Sequence, residues 1–589
     1  MAGSPVVTGT VAAAPFTLKI HRGEGMVLLA MNWKNGQPPA NFVGFSIEYC
    51  DPGGSQFWPV KNRLAFPGRS KPTKKEQAAE QYPSTEAPFQ IFRWVHFPRL
   101  ADTPGLFTYR VTPKFMNDEG VLSSGIAQEA KIEIYSETDP GKFNIAFTRG
   151  YVSSQAFADK FGGEAGLKKL IPADADDGNE FKSTHPDADR AYAWMGFEAR
   201  QRICDLLDAA AQDKADVMVV AFELNLPEVI DRLVAIGDKL RIIIDDSSNL
   251  RTKDGKTTGK DKGAPGSAES KAAATLAAAG AKVKRQHMGN LQHNKMIVVD
   301  GPTVKQVVLG STNFSWRGFF VQSNNAFIVC GKAAVDEQRE AFEAYWAGDK
   351  SSFGKTPPSA WRKLAAGSLD ADISMSPHGT KNASQKGIGA DVDSAASSVL
   401  FSLAFLYQTG GDVTDAIDRA VKRKDLFVYG ISDKRTKIEL QQPDGNPAPV
   451  FAAALTKGLP EPFRSEASGG SGVKMHHKFI VIDFDKPTAR VYTGSYNFSS
   501  PADRENGENL LLVRDPRVAT AYMVEALRIF DAYQFRVSYG AKPKAGAGQP
   551  TAKPRPKELK KPPSAPGEKP WWDAFWTVPI KSRDRQMFA

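Results

Sequence analysis

The sequence predicts an α/β protein: two repeated lobes, each a mixed sheet flanked by helices, preceded by a β-sandwich. Three observations carry this expectation. One short pattern occurs twice; strand-like and helix-like runs alternate around both copies; and the first 140 residues alternate in strand fashion with no helical period. At 589 residues the chain has room for roughly three or four domains, each with an ample core.

Residues 1–140 read as the sandwich. Phe45-x-Ile47-x-Tyr49, Phe89-x-Ile91 and Phe107-x-Tyr109-x-Val111 place apolar side chains on one face of half-buried strands. Turn signals at Asn35-Gly36, Asp51-Pro52-Gly53-Gly54 and Asp102-Thr103-Pro104-Gly105 separate them. Gly105 to Val111 is similar to a late strand of fibronectin type III or immunoglobulin-like modules, and Trp33, Trp58 and Trp94 are expected in the core.

The first lobe is expected over 141–347, opening at Phe143–Phe147. It carries a strand at Val217–Phe222, a helix at Pro227–Ile236 and a strand at Leu240–Asp245. A Pro/Gly/Ser/Lys-rich stretch over 348–369 reads as a linker. The second lobe follows over 370–540, with a helix at Val413–Val421 and a strand at Leu426–Ile431; Ile-Asp-Arg recurs in both helices. The loops Ser247–Gly266 and Gln441–Pro449 read as surface loops with the length to border a cleft. A basic Pro/Lys-rich tail with an aromatic end occupies 541–589.

The repeated pattern carries the chemistry. The first copy reads His293-Asn-Lys295-Met-Ile-Val-Val-Asp300, then Gly310-Ser311-Thr312-Asn313-Phe314-Ser315. The second reads His476-His477-Lys478-Phe-Ile-Val-Ile-Asp483, then Gly494-Ser495-Tyr496-Asn497-Phe498-Ser499. One His-x-Lys-x4-Asp match is weak; two, each with the same second block, mark a duplicated site. Each His-x-Lys opens an apolar strand, so His and Lys share a face and His477 turns to the other. Histidine suits attack on, or protonation of, a phosphoester near neutral pH, lysine supplies positive charge to phosphate oxygens, and asparagine adds a neutral donor. Two His, two Lys and two Asn make a phosphoryl-transfer site that calls for no metal and no cofactor.

These motifs resemble the phospholipase D superfamily, in a form with both catalytic halves in one chain. The resemblance implies two lobes about a pseudo-twofold axis sharing one site. One histidine would form a covalent phosphohistidine, and the other would protonate the leaving alcohol and then activate water or an acceptor alcohol. Carried over, the matching positions are His293, Lys295 and Asn313 with His476, Lys478 and Asn497. Asp300 and Asp483 match the motif but lie across a strand from their histidines, and are expected, with Ser311 and Ser495, to be structural support.

The copies differ at one informative place. The blocks align without gaps from Gly310 to Val329 and from Gly494 to Val513, setting Asn324 against Glu508. A carboxylate at a histidine ring stabilises imidazolium, and an amide orients the ring without charge. The expectation is therefore that Glu508 orients His476 as acid/base, with His293 as the nucleophile beside Asn324.

Composition bounds the rest. No run of about eighteen apolar residues occurs, so no membrane-spanning helix is expected. The N-terminus lacks a basic-then-apolar leader, and three scattered cysteines fit a reducing compartment. A cytoplasmic location is expected, with peripheral contact at a membrane as one option; export without a leader would leave the same composition. Of the net charge of +10, the tail carries +7, from 11 basic and 4 acidic residues. The body is thus nearly neutral, with no global field for a polyanion. Basic residues beside Trp571, Trp572, Phe575 and Trp576 suit an anionic membrane surface, and equally suit a linker whose aromatic end docks on the body. Three readings follow: a phospholipase D hydrolysing or transferring a phosphatidyl group, a nuclease using the same site, and a non-catalytic adaptor working through the sandwich. The presence of all six His, Lys and Asn residues argues against the third.

Overall fold

The computed structural model describes residues 3–68, 81–98, 103–150, 157, 160–248, 251–253, 256–258, 261–382, 384–406, 410–432, 438, 475–540 and 558–589. The loop 441–449 lies outside them.

The N-terminal region folds as two antiparallel sheets. Val6–Thr8, Phe16–Arg22, Val27–Trp33 and Arg93–His96 form one; Leu122–Ser124, Gly105–Met116, Phe42–Cys50 and Phe57–Pro59, with Gln128–Ile134 on Gly105–Met116, form the other. Alternation explains their packing: Leu18, Ile20, Leu29, Phe45, Ile47, Phe107 and Tyr109 share one core, and Trp33, Trp58 and Trp94 pack at its margin.

Each lobe is built on a seven-stranded mixed sheet. In the first, the order is Phe143–Phe147, Asn325–Cys330, Lys305–Gly310, Lys295–Asp300, Asp216–Ala221, Leu240–Ile244, Lys282–Arg285, and only the last two pairings are parallel. In the second, it is Arg362–Lys363, Ala371–Ser376, Glu508–Val513, Arg490–Gly494, Lys478–Ile482, Ser398–Leu403, Phe427–Ile431. The helix Pro227–Ile236 buries Val229, Ile230, Leu233 and Ile236, and Asp412–Lys422 buries Val413, Ala416, Ile417 and Ala420. Both stripes follow the helical period and pack on the outer sheet faces.

The motif strands divide their side chains between two cores. Met296 and Val298, with Phe479 and Val481, enter a core shared by both lobes; Ile297 and Val299 face one outer core, and Ile480 and Ile482 the other. The stretch read as a linker is packed rather than free: it contributes the edge strand Arg362–Lys363 and buries Phe353, Leu364, Ala366 and Leu369 in the shared core.

Residues 558–589 return to the body. The indole Nε1 of Trp571 donates to Phe42 O at 2.9 Å, that of Trp572 to Pro39 O at 3.3 Å, and that of Trp576 to Gly36 O at 3.1 Å. Trp571 and Trp572 are 8% and 6% exposed, so the aromatic half of the expected membrane contact is buried against the sandwich. Phe588 reaches the shared core, and Arg93 binds Asp531 of the helix Pro516–Gly540 together with Asp584 of the last helix, Pro579–Met587. Among the described residues, no helix is long and apolar enough to cross a membrane.

Candidate active site

The two motif strands meet where the lobes abut. Gln292 pairs with Gly507 and Ser323 with Met475 in isolated parallel bridges, which sets each histidine beside the strand entry of the other lobe. The backbone N–H of Gly507 donates to Leu291 O at 2.9 Å, and that of His476 to Ser323 O at 3.2 Å. The His293 and His476 ring centroids consequently lie 6.2 Å apart, and both side chains are buried.

This crossing corrects one expectation. Glu508 does not orient His476. Its Oε2 accepts from His293 Nδ1 at 2.8 Å, while His476 Nδ1 donates to Asn324 Oδ1 at 2.8 Å. Each ring is held by a residue from the opposite lobe, because the bridges carry residues 508 and 324 across the interface to the partner histidine. Both ring partners are themselves fixed. Ser495 Oγ donates to Glu508 Oε2 at 2.7 Å and Asn506 Nδ2 to Oε1 at 3.2 Å; Ser311 Oγ donates to Asn324 Oδ1 at 2.9 Å. Asn324 Nδ2 donates to Gly318 O at 2.9 Å, so its oxygen faces the ring and the Nδ1–H tautomer of His476 follows. Gly318 lies in a π-helical turn, Arg317–Val321, where a Cβ would stand 2.2 Å from Asn313 O.

The cations and amides complete the constellation. Lys478 Nζ donates to His476 O at 2.7 Å, and Lys295 Nζ donates likewise to His293 O. Asn313 and Asn497 each carry a buried Oδ1 without a hydrogen-bond partner. Asp300 and Asp483 stand at the far strand ends. Asp300 binds Lys305 and Arg339, and Asp483 accepts the backbone N–H groups of Ala396, Ser397 and Ser398. His477, on the opposite strand face, is buried against Glu525 at 2.9 Å, which also binds Arg528.

Burial dominates the titration of the site. It pushes both histidines well below the usual imidazole value, aided by Lys295 and Lys478, so the resting rings are neutral. The Lys295 ammonium is brought down to about 7 by burial, against the pull of Glu508, and Lys478 is depressed as well. Burial raises Glu508 to about 7 against the attraction of Lys295.

Sequence reasoning missed a carboxylate in the first lobe. Glu223 follows the strand Asp216–Ala221, and its Oε2 accepts from Asn313 Nδ2 at 3.1 Å and Ser315 Oγ at 2.8 Å. Burial opposes its ionisation, yet Lys262, Ser315 and Lys295 hold its carboxyl below the ordinary value. Its place at the carboxyl end of a strand beside the motif strand was the available signal. Register sets Ala221 against Lys295 and Leu403 against Lys478, so Phe405 occupies the corresponding place in the second lobe. The loop expected near the cleft delivers Lys262, whose Nζ donates to Phe222 O at 2.7 Å and lies 4.1 Å from the Phe222 ring centroid; that ring lies 4.6 Å from His293.

Comparison with known proteins finds a family match in each lobe. The family described as "Cardiolipin synthase, PLD-like domain" matches residues 203–346 and 389–530, one match per lobe. A Phospholipase D of Rickettsia bellii is 29% identical over 122 residues, spanning 19% of this chain and 58% of that protein. One of Rickettsia typhi is 44% identical over 48 residues, 8% of this chain and 22% of its own length. The chain thus spans little more than half of the first relative and about a fifth of the second. Among solved structures, Nuc of Salmonella typhimurium, a phospholipase D family member, is similar at 21% identity and a TM-score of 0.18 over 29% of this chain and 97% of that one. Phosphatidylserine synthase of Haemophilus influenzae is similar at 12% identity and a TM-score of 0.36, over 59% and 85% of the respective chains. With a motif set in each lobe, a shared centre between them and a family match to both, the chain belongs to the phospholipase D superfamily.

Proposed function

We propose that the protein is a phosphodiesterase that breaks a phospholipid's phosphodiester through a covalent phosphohistidine on His293. The observation that carries this is the convergence of the two motif histidines, 6.2 Å apart, with the two motif lysines beside them. Phospholipid is the substrate class supported by the names of the curated relatives. Binding of the phosphodiester anion lets His476 take up a solvent proton at Nε2; His293 Nε2 then attacks phosphorus and the bond to the leaving oxygen breaks, with that oxygen taking this proton. Neutral His476 then accepts a proton from water or an acceptor alcohol, whose oxygen attacks phosphorus as the P–N bond breaks. Lys295, Lys478, Asn313 and Asn497 hold the non-bridging oxygens through both steps.

The corrected ring partners support these roles on new grounds. Phosphorylation at Nε2 leaves His293 with its Nδ1–H and a positive charge, which Glu508 stabilises. His476, bonded to a neutral amide and facing two lysines, releases its proton more readily than a ring beside a carboxylate would, and the bound phosphodiester anion supports its protonated form. Because the lysines supply the positive charge, turnover should persist in chelator. Purified protein incubated with labelled phosphatidylcholine, phosphatidylglycerol, single-stranded or duplex DNA and quenched in alkaline denaturant, which preserves a P–N bond, tests the reading. The expected result is label on the His293 peptide with a lipid; label on His476 reverses the roles, and turnover of DNA alone replaces the substrate.

A further inference from the structure

A second cavity, of about 1080 Å³, lies where the sandwich meets the first lobe, and none of the motif residues lines it. Its walls combine aromatic faces with converging cations. Phe97 enters from the sandwich; Arg149, Lys160, Arg190, Trp194 and Phe197 come from the lobe. We propose that this cavity binds a phosphate ester carrying a planar ring, the chemistry of a mononucleotide.

Three independent features of the wall suit such an occupant. The first is charge. The groups that act on the Lys160 ammonium are Arg149 and Arg190, both cations, which together with burial depress its titration. A phosphate group is matched to guanidinium and ammonium donors that converge on one wall. The second is the strained backbone of Phe197. Inside the helix Ala188–Gln212 it adopts φ 45° and ψ −139°, a conformation that bulky residues rarely take. That strain sets its ring 4.0 Å from the Arg149 guanidinium, whose carbon also lies 4.6 Å from the Phe97 ring centroid. The cation is thus held between aromatic faces, with Trp194 5.5 Å away.

The third feature is an unmet polar group. Glu198 lines the same cavity, and its buried Oε2 has no hydrogen-bond partner. Burial and the neighbouring Glu24 raise its carboxyl well above the ordinary value, so the protonated group has a hydrogen bond to make with a sugar hydroxyl or a ring nitrogen. Cations, ring faces and an unpaired buried carboxyl in one space therefore suit a ligand with an anionic end, a planar part and a polar group between them. The volume lies at the upper end of small-molecule sites and accommodates such a ligand.

Calorimetric titration of the full chain with ADP, pyrophosphate and adenosine tests the assignment. ADP should bind more tightly than either fragment. The variant Lys160→Glu/Arg190→Glu, altered at exposed positions, should bind ADP about tenfold or more weakly while turning over a soluble phosphodiester normally. ADP binding should persist in His293→Ala, which separates this cavity from the reaction centre. Unchanged ADP affinity in the charge-reversal variant, loss of ADP binding in His293→Ala, or pyrophosphate binding as tightly as ADP would overturn the proposal.

Discussion

At the scale of single residues, the proposed reaction makes the two histidines one unit. His293→Ala and His476→Ala should each remove nearly all turnover, and the double variant should be little worse than either, because neither half-reaction proceeds without its partner ring. Steady-state rates on a soluble diester measure this, and a single variant retaining most activity would mean that the lobes do not share a centre. Glu508 makes a second case. Its folded-state value of about 7 stands above the ordinary 4.5, so its ionised form burdens the fold at high pH. The sign follows: below the unfolded value both states are protonated and the burden is absent; it grows as pH rises and is complete above about 7. Glu508→Gln should therefore raise the melting temperature at pH 8, lose that gain by pH 4.5, and slow turnover at both. A gain that grew on acidification would contradict the burial argument.

At the scale of elements, the Gly-Ser of each second block has a steric reason. Gly310 and Gly494 adopt φ of +122° and +135°, and an added Cβ would stand 2.5 Å from Asn325 O and 2.2 Å from Asn509 O. These close approaches bring Ser311 to Asn324 and Ser495 to Glu508, so each ring partner inherits its position from a glycine. The same asparagines knit the lobes together: Asn509 Nδ2 donates to Asn294 Oδ1 at 2.7 Å, and Gly310 N donates to Asn509 Oδ1 at 3.1 Å. Gly494→Ala should cost about 2–4 kcal/mol of stability, because backbone must move as well as side chain. Denaturant unfolding checks the cost, and turnover should fall even where the variant remains folded, as Ser495 moves away from Glu508.

At the scale of the whole molecule, the tail ties the sandwich to the second lobe. Trp571 and Trp572 complete the sandwich core, Phe588 enters the core between the lobes, and Arg93 shares Asp531 and Asp584. Burying rings of this size stabilises by on the order of 2 kcal/mol each. Deleting residues 541–589 should lower the unfolding temperature of the sandwich and expose an apolar strip, with little effect on sedimentation with anionic vesicles. Unaltered melting with lost vesicle binding would instead make the tail a membrane anchor. The two lobes, with one seven-stranded sheet each, need no such strap, since their shared core already runs through the strands that carry the motifs.

Much of this was legible in the sequence, for a local reason. Strand alternation places His293 with Lys295 and turns His477 away, and helical spacing marks Pro227–Ile236 and the helix around Val413–Val421, because those patterns depend only on neighbours a few residues apart. The resemblance carried by the duplicated motif likewise implied a shared centre. Contacts between distant segments were not legible. The alignment paired Glu508 with its own lobe's histidine, and only the bridges Gln292–Gly507 and Ser323–Met475 show that each ring is held from across the interface. Glu223 belongs to no repeated motif and gains its meaning from Asn313 and Ser315, some 90 residues downstream. The tail's aromatic residues suited a bilayer and a protein groove alike, since both bury rings equally well. The tertiary structure chose the groove, because the sandwich offers the carbonyls of Phe42, Pro39 and Gly36 to their indole N–H groups.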